Sequence, residues 1–248
     1  MEKMHAFHNT FDDYFDHPIK QFPLPTRILY QVVACFLYCL FKLYFPTKCE
    51  GMEESFLKLR GREKGTVLVM NHVSMVEPII MTLLFWRHGL YLRAIFKKEF
   101  LKNDFLRWVF TRVGGIPVER GTADIKAVRR AQRSLMAGES IIIFPEGTRV
   151  RSDEQLAEVH GGFALIAQLA KTDVLPVAVI GVKRISPEGA RIKFPRPHRV
   201  FFKTNGFITF EELDKSDKKE QLEAMETMAM DIVYRLRDEL RSEHPGVE

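Results

Sequence analysis

The sequence predicts an α/β fold in which helices flank a mixed central sheet, joined to an N-terminal apolar helical segment. Three observations carry this expectation. Short β-branched runs at residues 66–70, 140–144 and 174–181 alternate with stretches of helical periodicity, the pattern of strands buried in an α/β core. The first two runs pass directly into turns rich in polar residues, Asn71–Pro78 and Pro145–Arg149. Ahead of them, Ile28–Phe45 is apolar except for Gln31 and Lys42.

At 248 residues the chain is long enough for one domain with a sizeable core and an accessory segment. We divide it into an N-terminal helical membrane-association segment, residues 1–60, and an α/β domain, residues 61–248. A formal net charge of +5 points to an anionic partner without saying which. Cys35, Cys39 and Cys49 form no C-x-x-C pair and are odd in number, which favours a reducing compartment. The N-terminus is polar and acidic, unlike a cleavable signal.

Taken in order, residues 1–25 are punctuated by Pro18, Pro23 and Pro25. Phe7, Phe11, Tyr14 and Phe15 suggest a short amphipathic helix there, and the nearby His and Asp residues match no metal-ligand spacing. The 28–45 run is just short of the roughly 20 apolar residues that cross a bilayer. Its aromatic content fits an interface-seated, monotopic anchor better than a full crossing, and the alternative is a buried core helix. Residues 48–65 are expected to hold a short edge strand and one helical turn.

Ala94–Phe96 reads as a strand, and Lys97-Lys98-Glu99 as the start of a helix through Phe110, with basic residues around an apolar face. That surface suits anionic lipid headgroups as well as plain solvent. A short strand then leaves Gly114-Gly115 and ends at Arg120. A helix over 123–136, stopped by Gly138, leads into the 140–144 strand. After a further helix to Ala170 and the 174–181 strand, residues 191–210 read as two short strands, arranged as a hairpin at the sheet edge. The tail to Arg241 carries Leu222, Met225, Met228, Ile232, Val233, Leu236 and Leu240 on one helical face and ends at Pro245.

The strand-to-turn segment Asn71-His72-Val73-Ser74-Met75-Val76-Glu77-Pro78 holds an imidazole and a carboxylate where side chains can face a pocket. If Pro78 opens the following helix, Glu77 is its N-cap and can curl back to hold one ring nitrogen protonated, leaving the other as a general base. The competing reading is a capping box, Ser74-x-x-Glu77, in which Glu77 returns a hydrogen bond to the backbone. That reading places Pro78 at the fourth helical position, where its missing N–H forfeits a bond. In Pro145-Glu146-Gly147-Thr148-Arg149, a glycine that lets backbone N–H groups approach and a guanidinium make an anion site.

These blocks, in this order, resemble the glycerolipid acyltransferase family typified by bacterial 1-acylglycerol-3-phosphate acyltransferase. His72 to Glu77 is similar to the family's H-x-x-x-x-D motif. Gly115 to Arg120 resembles its second block, Phe144 to Arg149 reads F-P-E-G-T-R, and Val174 to Val179 resembles its V-L-P-V strand. Lys97-Lys98-Glu99 matches a lysine-bearing segment between the first two. The resemblance covers residues 65–181. Two departures stand out: Glu77 replaces the usual aspartate, and Val159-His160-Gly161-Gly162 replaces a lysine-rich F-K-K-G.

The resemblance implies transfer of an acyl chain from acyl-CoA or acyl carrier protein to the free hydroxyl of lysophosphatidic acid or another lyso-lipid. His72 would be the general base and Glu77 would orient it. Lys98, Arg120, Glu146, Gly147, Thr148 and Arg149 would place the phosphate-bearing acceptor. No metal or cofactor is implied. The partners are the two substrates and the membrane surface, at the cytoplasmic face, with a monotopic or single-pass anchor. Other classes compete. An inactive lipid-binding homologue is invited by Glu77, and a lipid hydrolase would want a G-x-S-x-G elbow, which is absent. Nucleic-acid binding would explain the charge but neither the apolar segment nor the His/Glu turn.

Overall fold

β-Branched runs too apolar to face water on either side can be satisfied only inside a sheet covered on both faces. In the computed structural model this is where they lie. It describes residues 7–119, 121, 124–149, 159–183, 197–211 and 217–247. Among these, seven strands form one sheet: β1 (Thr47–Glu50), β2 (Val67–Met70), β3 (Leu92–Lys97), β4 (Ile116–Val118), β5 (Ser140–Ile143), β6 (Val174–Ile180) and β7 (Val200–Lys203). Their order is β1-β7-β6-β2-β5-β3-β4. The five strands from β6 to β4 run parallel. β7 is antiparallel to β6 and parallel to β1, so the sheet is mixed, as expected.

Side-chain alternation along β2 divides the core. Leu68 and Met70 face α3 (Met52–Arg60) and α4 (Glu77–Arg87), meeting Met52, Phe56, Met81 and Phe85. Val67 and Val69 face α6 (Ile125–Met136), α7 (Gly162–Ala170) and α8 (Lys218–Glu243), meeting Ala131, Phe163, Met225 and Val233. Gly65 precedes β2 because a Cβ there would lie 2.1 Å from the Glu139 carbonyl oxygen.

Four expectations need correction. Residues 47–60 belong to the α/β body rather than to a separate N-terminal segment. β1 extends the sheet, and α3 makes two and a half turns, not one, because Met52, Phe56 and Leu59 complete the core. Residues 184–196 lie outside the described residues, and from 197 to 210 one strand forms, not a hairpin. That strand, β7, is second from the edge, since β1 covers it. The segment after β3 breaks in two, a 3-10 turn at Lys98–Lys102 and α5 (Asp104–Arg112), because the Asn103 side chain accepts from the Leu106 amide and caps the second.

The N-terminal segment is pinned to this body. α1 (Phe11–Asp16) ends against the fully buried Arg93 of β3, whose guanidinium donates to the carbonyls of Tyr14, Phe15, His17 and Gly114. Arg93 also meets Glu139 at 3.5 Å, and the Glu139 carboxylate accepts from the Ile19 amide. α2 (Leu24–Tyr44) follows. It is the one helix among the described residues long and apolar enough, by length and composition, to cross a membrane, with 11% of that stretch buried. Leu24, Ile28, Val32, Phe36 and Leu43 are exposed along it. Its other side rests on α4, where Trp86 Nε1 donates to Gln31 at 2.6 Å and Arg87 to the Tyr38 hydroxyl at 3.0 Å.

Arg93 joins two otherwise separate pieces of chain, and its removal strands the Glu139 carboxylate and several buried carbonyls. Arg93→Ala is expected to cost about 3–5 kcal/mol of unfolding free energy in urea titration, with the region around α1 loosening first in hydrogen exchange.

Candidate active site

The five parallel strands bring their carboxyl ends to one edge of the sheet, and the motif residues follow those ends. β2 loses its ladder partners beyond Met70. Side chains take over there. Asn71, buried, donates from Nδ2 to the Val179 carbonyl at 3.0 Å and accepts from the Val179 amide at 2.9 Å, extending the β2–β6 pairing by one clamp. The His72 amide donates to Glu146 Oε2 at 2.8 Å, across to the end of β5.

The turn is closed by Glu77, which is fully buried. Its Oε1 accepts from the Val73 amide at 2.6 Å and from the Ser74 amide at 2.5 Å. Its Oε2 lies 3.5 Å from His72 Nδ1, and neither atom has a hydrogen bond elsewhere among the described residues. Each reading of the turn is met only in part: Oε1 returns bonds to the backbone and Oε2 faces the ring, but neither Ser74 nor Glu77 is the N-cap. Ser74 itself accepts from the Val76 amide, and Val76 is the N-cap, so Glu77 and Pro78 open α4 as its first two residues. At 3.5 Å the His72–Glu77 contact is at the outer limit of a hydrogen bond, the loose form such pairs take before substrate binds. The imidazole lies against Phe144, centroids 4.2 Å apart and ring planes tilted by 30°, and 12% of its side chain is exposed.

At the β5 end, Glu146 points inward. It is 2% exposed, and burial pushes its carboxyl above the usual range, against the pull of the His72 N–H and of the nearby Tyr234 of α8. Tyr234 is in turn pushed up to about 12 by its own burial and by Glu146. Gly147 has φ +62°, and a Cβ there would sit 2.6 Å from His160 Cδ2, so only glycine closes this turn. The turn's amides are spent internally. Gly147 N donates to the Phe144 carbonyl at 3.0 Å and Thr148 N to the Glu146 carbonyl at 2.6 Å, so these backbone groups do not form the expected anion cradle.

Thr148 and Arg149 are exposed just beyond. Lys98 stands at the end of β3, exposed and paired at 2.8 Å with Glu119 from the end of β4; that carboxylate holds the ammonium above its ordinary range. Arg120 lies outside the described residues. The structure therefore brings His72, Glu77 and Glu146 together at one turn, Glu146 by a hydrogen bond to the His72 amide and Glu77 by bonds to the Val73 and Ser74 amides, and puts Lys98 and Arg149 at the same sheet edge. Asn71, Phe144, His160 and Tyr234 are additions to the set read from sequence. An amide closing an apolar strand was a usable signal for Asn71; Tyr234, buried in helical periodicity, had none. Among the described residues one trio, Glu50, Glu243 and His244, could share a cation. Lys203 already sits within it, 2.7 Å from Glu243, at the opposite sheet edge because β7 runs the other way.

The family model described as Acyltransferase matches residues 48–180, more than half of the chain. The chain belongs to the acyltransferase family. Its relatives include a 1-acyl-sn-glycerol-3-phosphate acyltransferase of Streptococcus pneumoniae, 28% identical over 196 residues that make up 75% of this chain and 66% of that one. A chloroplastic 1-acyl-sn-glycerol-3-phosphate acyltransferase of Arabidopsis thaliana is 27% identical over 59% of this chain and 39% of its own. The chain thus spans from two fifths to two thirds of the length of these curated relatives. In fold it is similar to the crystal structure of the 1-acyl-sn-glycerophosphate acyltransferase of Thermotoga maritima, with a TM-score of 0.59 and 23% identity over 85% of this chain and 78% of that one. The acyltransferase family block holds His72, Glu77, Lys98 and the 144–149 turn; α8, with Tyr234, lies beyond it.

The upward displacement of Glu146 has a measurable consequence. A carboxyl whose folded value exceeds its unfolded value of about 4.5 contributes no penalty below that pH and an increasing one as pH rises toward the folded value. Glu146→Gln lacks this penalty. Thermal melts of the two proteins are expected to shift in favour of the variant as pH rises from 4.5 toward neutrality, while its activity falls.

Proposed function

We propose that the protein is a membrane-associated acyltransferase that moves a fatty acyl chain from acyl-CoA or acyl carrier protein to the free hydroxyl of lysophosphatidic acid, giving phosphatidic acid. The observation that carries this reading is the His72 Nδ1–Glu77 Oε2 contact at 3.5 Å, held at a sheet edge that also bears Lys98 and Arg149. Family membership supports the reaction type, and the activities for which the relatives are named support the acceptor.

In this mechanism Glu77 keeps the proton on Nδ1, so that Nε2 accepts the proton of the acceptor hydroxyl. The hydroxyl oxygen attacks the thioester carbonyl. The tetrahedral adduct expels the thiolate, which takes the proton back from Nε2, leaving the ester and a free thiol. No acyl-enzyme forms, and proximity of the two held substrates supplies much of the rate. With the turn amides occupied, the acceptor phosphate falls to side chains: Arg149, Lys98 freed from Glu119, and Arg120. Glu146 serves the protein rather than the phosphate, because a buried carboxylate would repel it. The exposed apolar side of α2 seats the enzyme on the lipid surface, at the cytoplasmic face that free Cys35, Cys39 and Cys49 favour.

The test is acyl transfer by the purified full chain, with labelled acyl-CoA or acyl carrier protein and a panel of lyso-lipids. Turnover of lysophosphatidic acid is expected; transfer to a different lyso-lipid would revise the acceptor, and binding without turnover would favour an inactive lipid-binding protein. His72→Ala is expected to lower kcat about 10²–10⁴-fold, and Glu77→Gln to fall within the same range, while Arg149→Ala raises KM for the acceptor.

A further inference from the structure

Large apolar side chains scattered singly over a surface are ordinary, but several gathered within a cluster of one charge point to a partner. Away from α2, the described residues hold such a gathering on α5. Phe105 is 70% exposed and Trp108 44%, three residues apart and so on one helical face, and Phe11 of α1 is 43% exposed. We propose that α5 is a second membrane contact, a cationic and aromatic surface that seats on anionic lipid headgroups. The inference extends the membrane seating proposed above from α2 to a separate helix, and it uses nothing of the acyl-transfer chemistry.

Cations and rings are interleaved here. The Arg112 guanidinium lies 5.4 Å from the centre of the Trp108 ring and 5.9 Å from that of Phe11, and the Arg107 guanidinium lies 4.8 Å from Phe11. Lys102 is exposed one residue before the Asn103 cap of α5. From Lys97 to Arg112 five cations face two acids, Glu99 and Asp104, and Asp104 is already paired with Arg107. The acids of α1 that could offset this excess turn the other way: Asp12 and Asp16 meet Arg130 of α6 at 2.6 and 2.7 Å. Exposed rings set among long cationic side chains suit a helix lying in a headgroup layer. The rings enter the acyl boundary while the charged tips reach the phosphates. Charge alone would fit any polyanion; the position of the helix selects a bilayer.

That position follows from β3. Its Leu92 and Ala94 face the core cluster beneath α4. Phe96, two residues on, faces the same way, and Phe110 of α5 stacks on it with ring centres 3.9 Å apart and planes within 8° of parallel. α5 therefore covers the same side of the sheet as α4, the helix on which α2 rests. On α4 itself Ile79 is exposed, and so is Met75 in the turn that begins at His72. A lipid surface that receives the exposed side of α2 thus has a second set of apolar and cationic groups on the same side of the sheet. One helix alone leaves the protein free to roll about its axis. Two separate contacts fix the tilt, and with it the distance of the His72 turn from the lipid.

Trp86 and Trp108 are the two tryptophans of the chain, so a Trp86→Phe background makes Trp108 a local reporter. The full chain in that background is mixed with vesicles of phosphatidylcholine, with and without about 30% phosphatidylglycerol, at a fixed low ionic strength. With phosphatidylglycerol present, Trp108 emission is expected to shift to the blue and to be quenched by brominated acyl chains; without it, neither should occur. The shift should reverse at about 1 M salt, where screening is complete within a few ångströms. Lys102→Gln, Arg107→Gln and Arg112→Gln should each weaken partitioning onto the anionic vesicles about fivefold. Phe105→Ser should weaken it about tenfold. Melting temperatures of Lys102→Gln and Phe105→Ser should hold, since both side chains lie outside the core. Trp108 emission that ignores phosphatidylglycerol, or partitioning untouched by the three charge substitutions, would overturn the proposal and leave α2 as the anchor. Self-association without lipid that Phe105→Ser abolishes would also overturn it, by giving this face to a second copy of the chain. If the protein transfers acyl groups to no acceptor, the functional reading falls and the Trp108 shift still decides this one; turnover with Trp108 unmoved by lipid sinks this inference alone.

Discussion

Where a parallel strand ends in mid-sheet, its last backbone groups lose their ladder partners, and burial makes that loss costly. β2 ends this way between β5 and β6, and three side chains resolve it. Asn71 takes both polar groups of Val179, Glu146 takes the His72 amide, and Glu77 takes the amides of Val73 and Ser74. Two of the three are carboxylates. Satisfying the backbone and placing negative charge beside an imidazole are therefore one act of folding. The polar groups around His72 cannot be removed without also unsatisfying the turn that holds it, which couples the site's chemistry to its stability.

The same turn connects to the apolar side of the molecule through α4. Glu77 is the first residue of that helix, and Trp86 and Arg87 in its last turn hold α2 by hydrogen bonds to Gln31 and Tyr38. A helix of eleven residues spans about 16 Å, so the exposed apolar face of α2 and the carboxylate beside the His72 imidazole are ends of one short rigid rod. α2 is held from its other end by the segment that Arg93 and Glu139 bind. The orientation of this apolar helix is in this way set by polar contacts, while its own sequence contributes mainly the exposed face.

Much of this was legible in the sequence, and the parts that were not share a cause. β2, β5 and β6 were readable because each is a local run of β-branched residues, and the turns after β2 and β5 because polar residues follow apolar ones abruptly. The seat of β7 between β6 and β1 was not, since antiparallel pairing with a strand 20 residues earlier and parallel pairing with one about 150 residues earlier leave no local trace. The break at Asn103 was available in principle as an N-cap, but the apolar periodicity on either side reads through it. The turn at Gly147 suggested free amides because a glycine usually opens the backbone. Here it serves a tight turn that consumes its amides and lets His160 approach.

The glutamate at position 77 follows from the same accounting. One carboxylate must reach two backbone amides with one oxygen and the imidazole with the other, starting from the first position of α4. An aspartate at that position is shorter by one carbon–carbon bond, about 1.5 Å. To keep the amides it would withdraw from a ring already at 3.5 Å, and to keep the ring it would release the turn, unless the helix start moved inward. Packing opposes that movement, because Ile80, Met81, Leu84 and Phe85 are buried on the following turns against β2 and α3. The extra methylene in this chain therefore belongs to the depth at which α4 is seated.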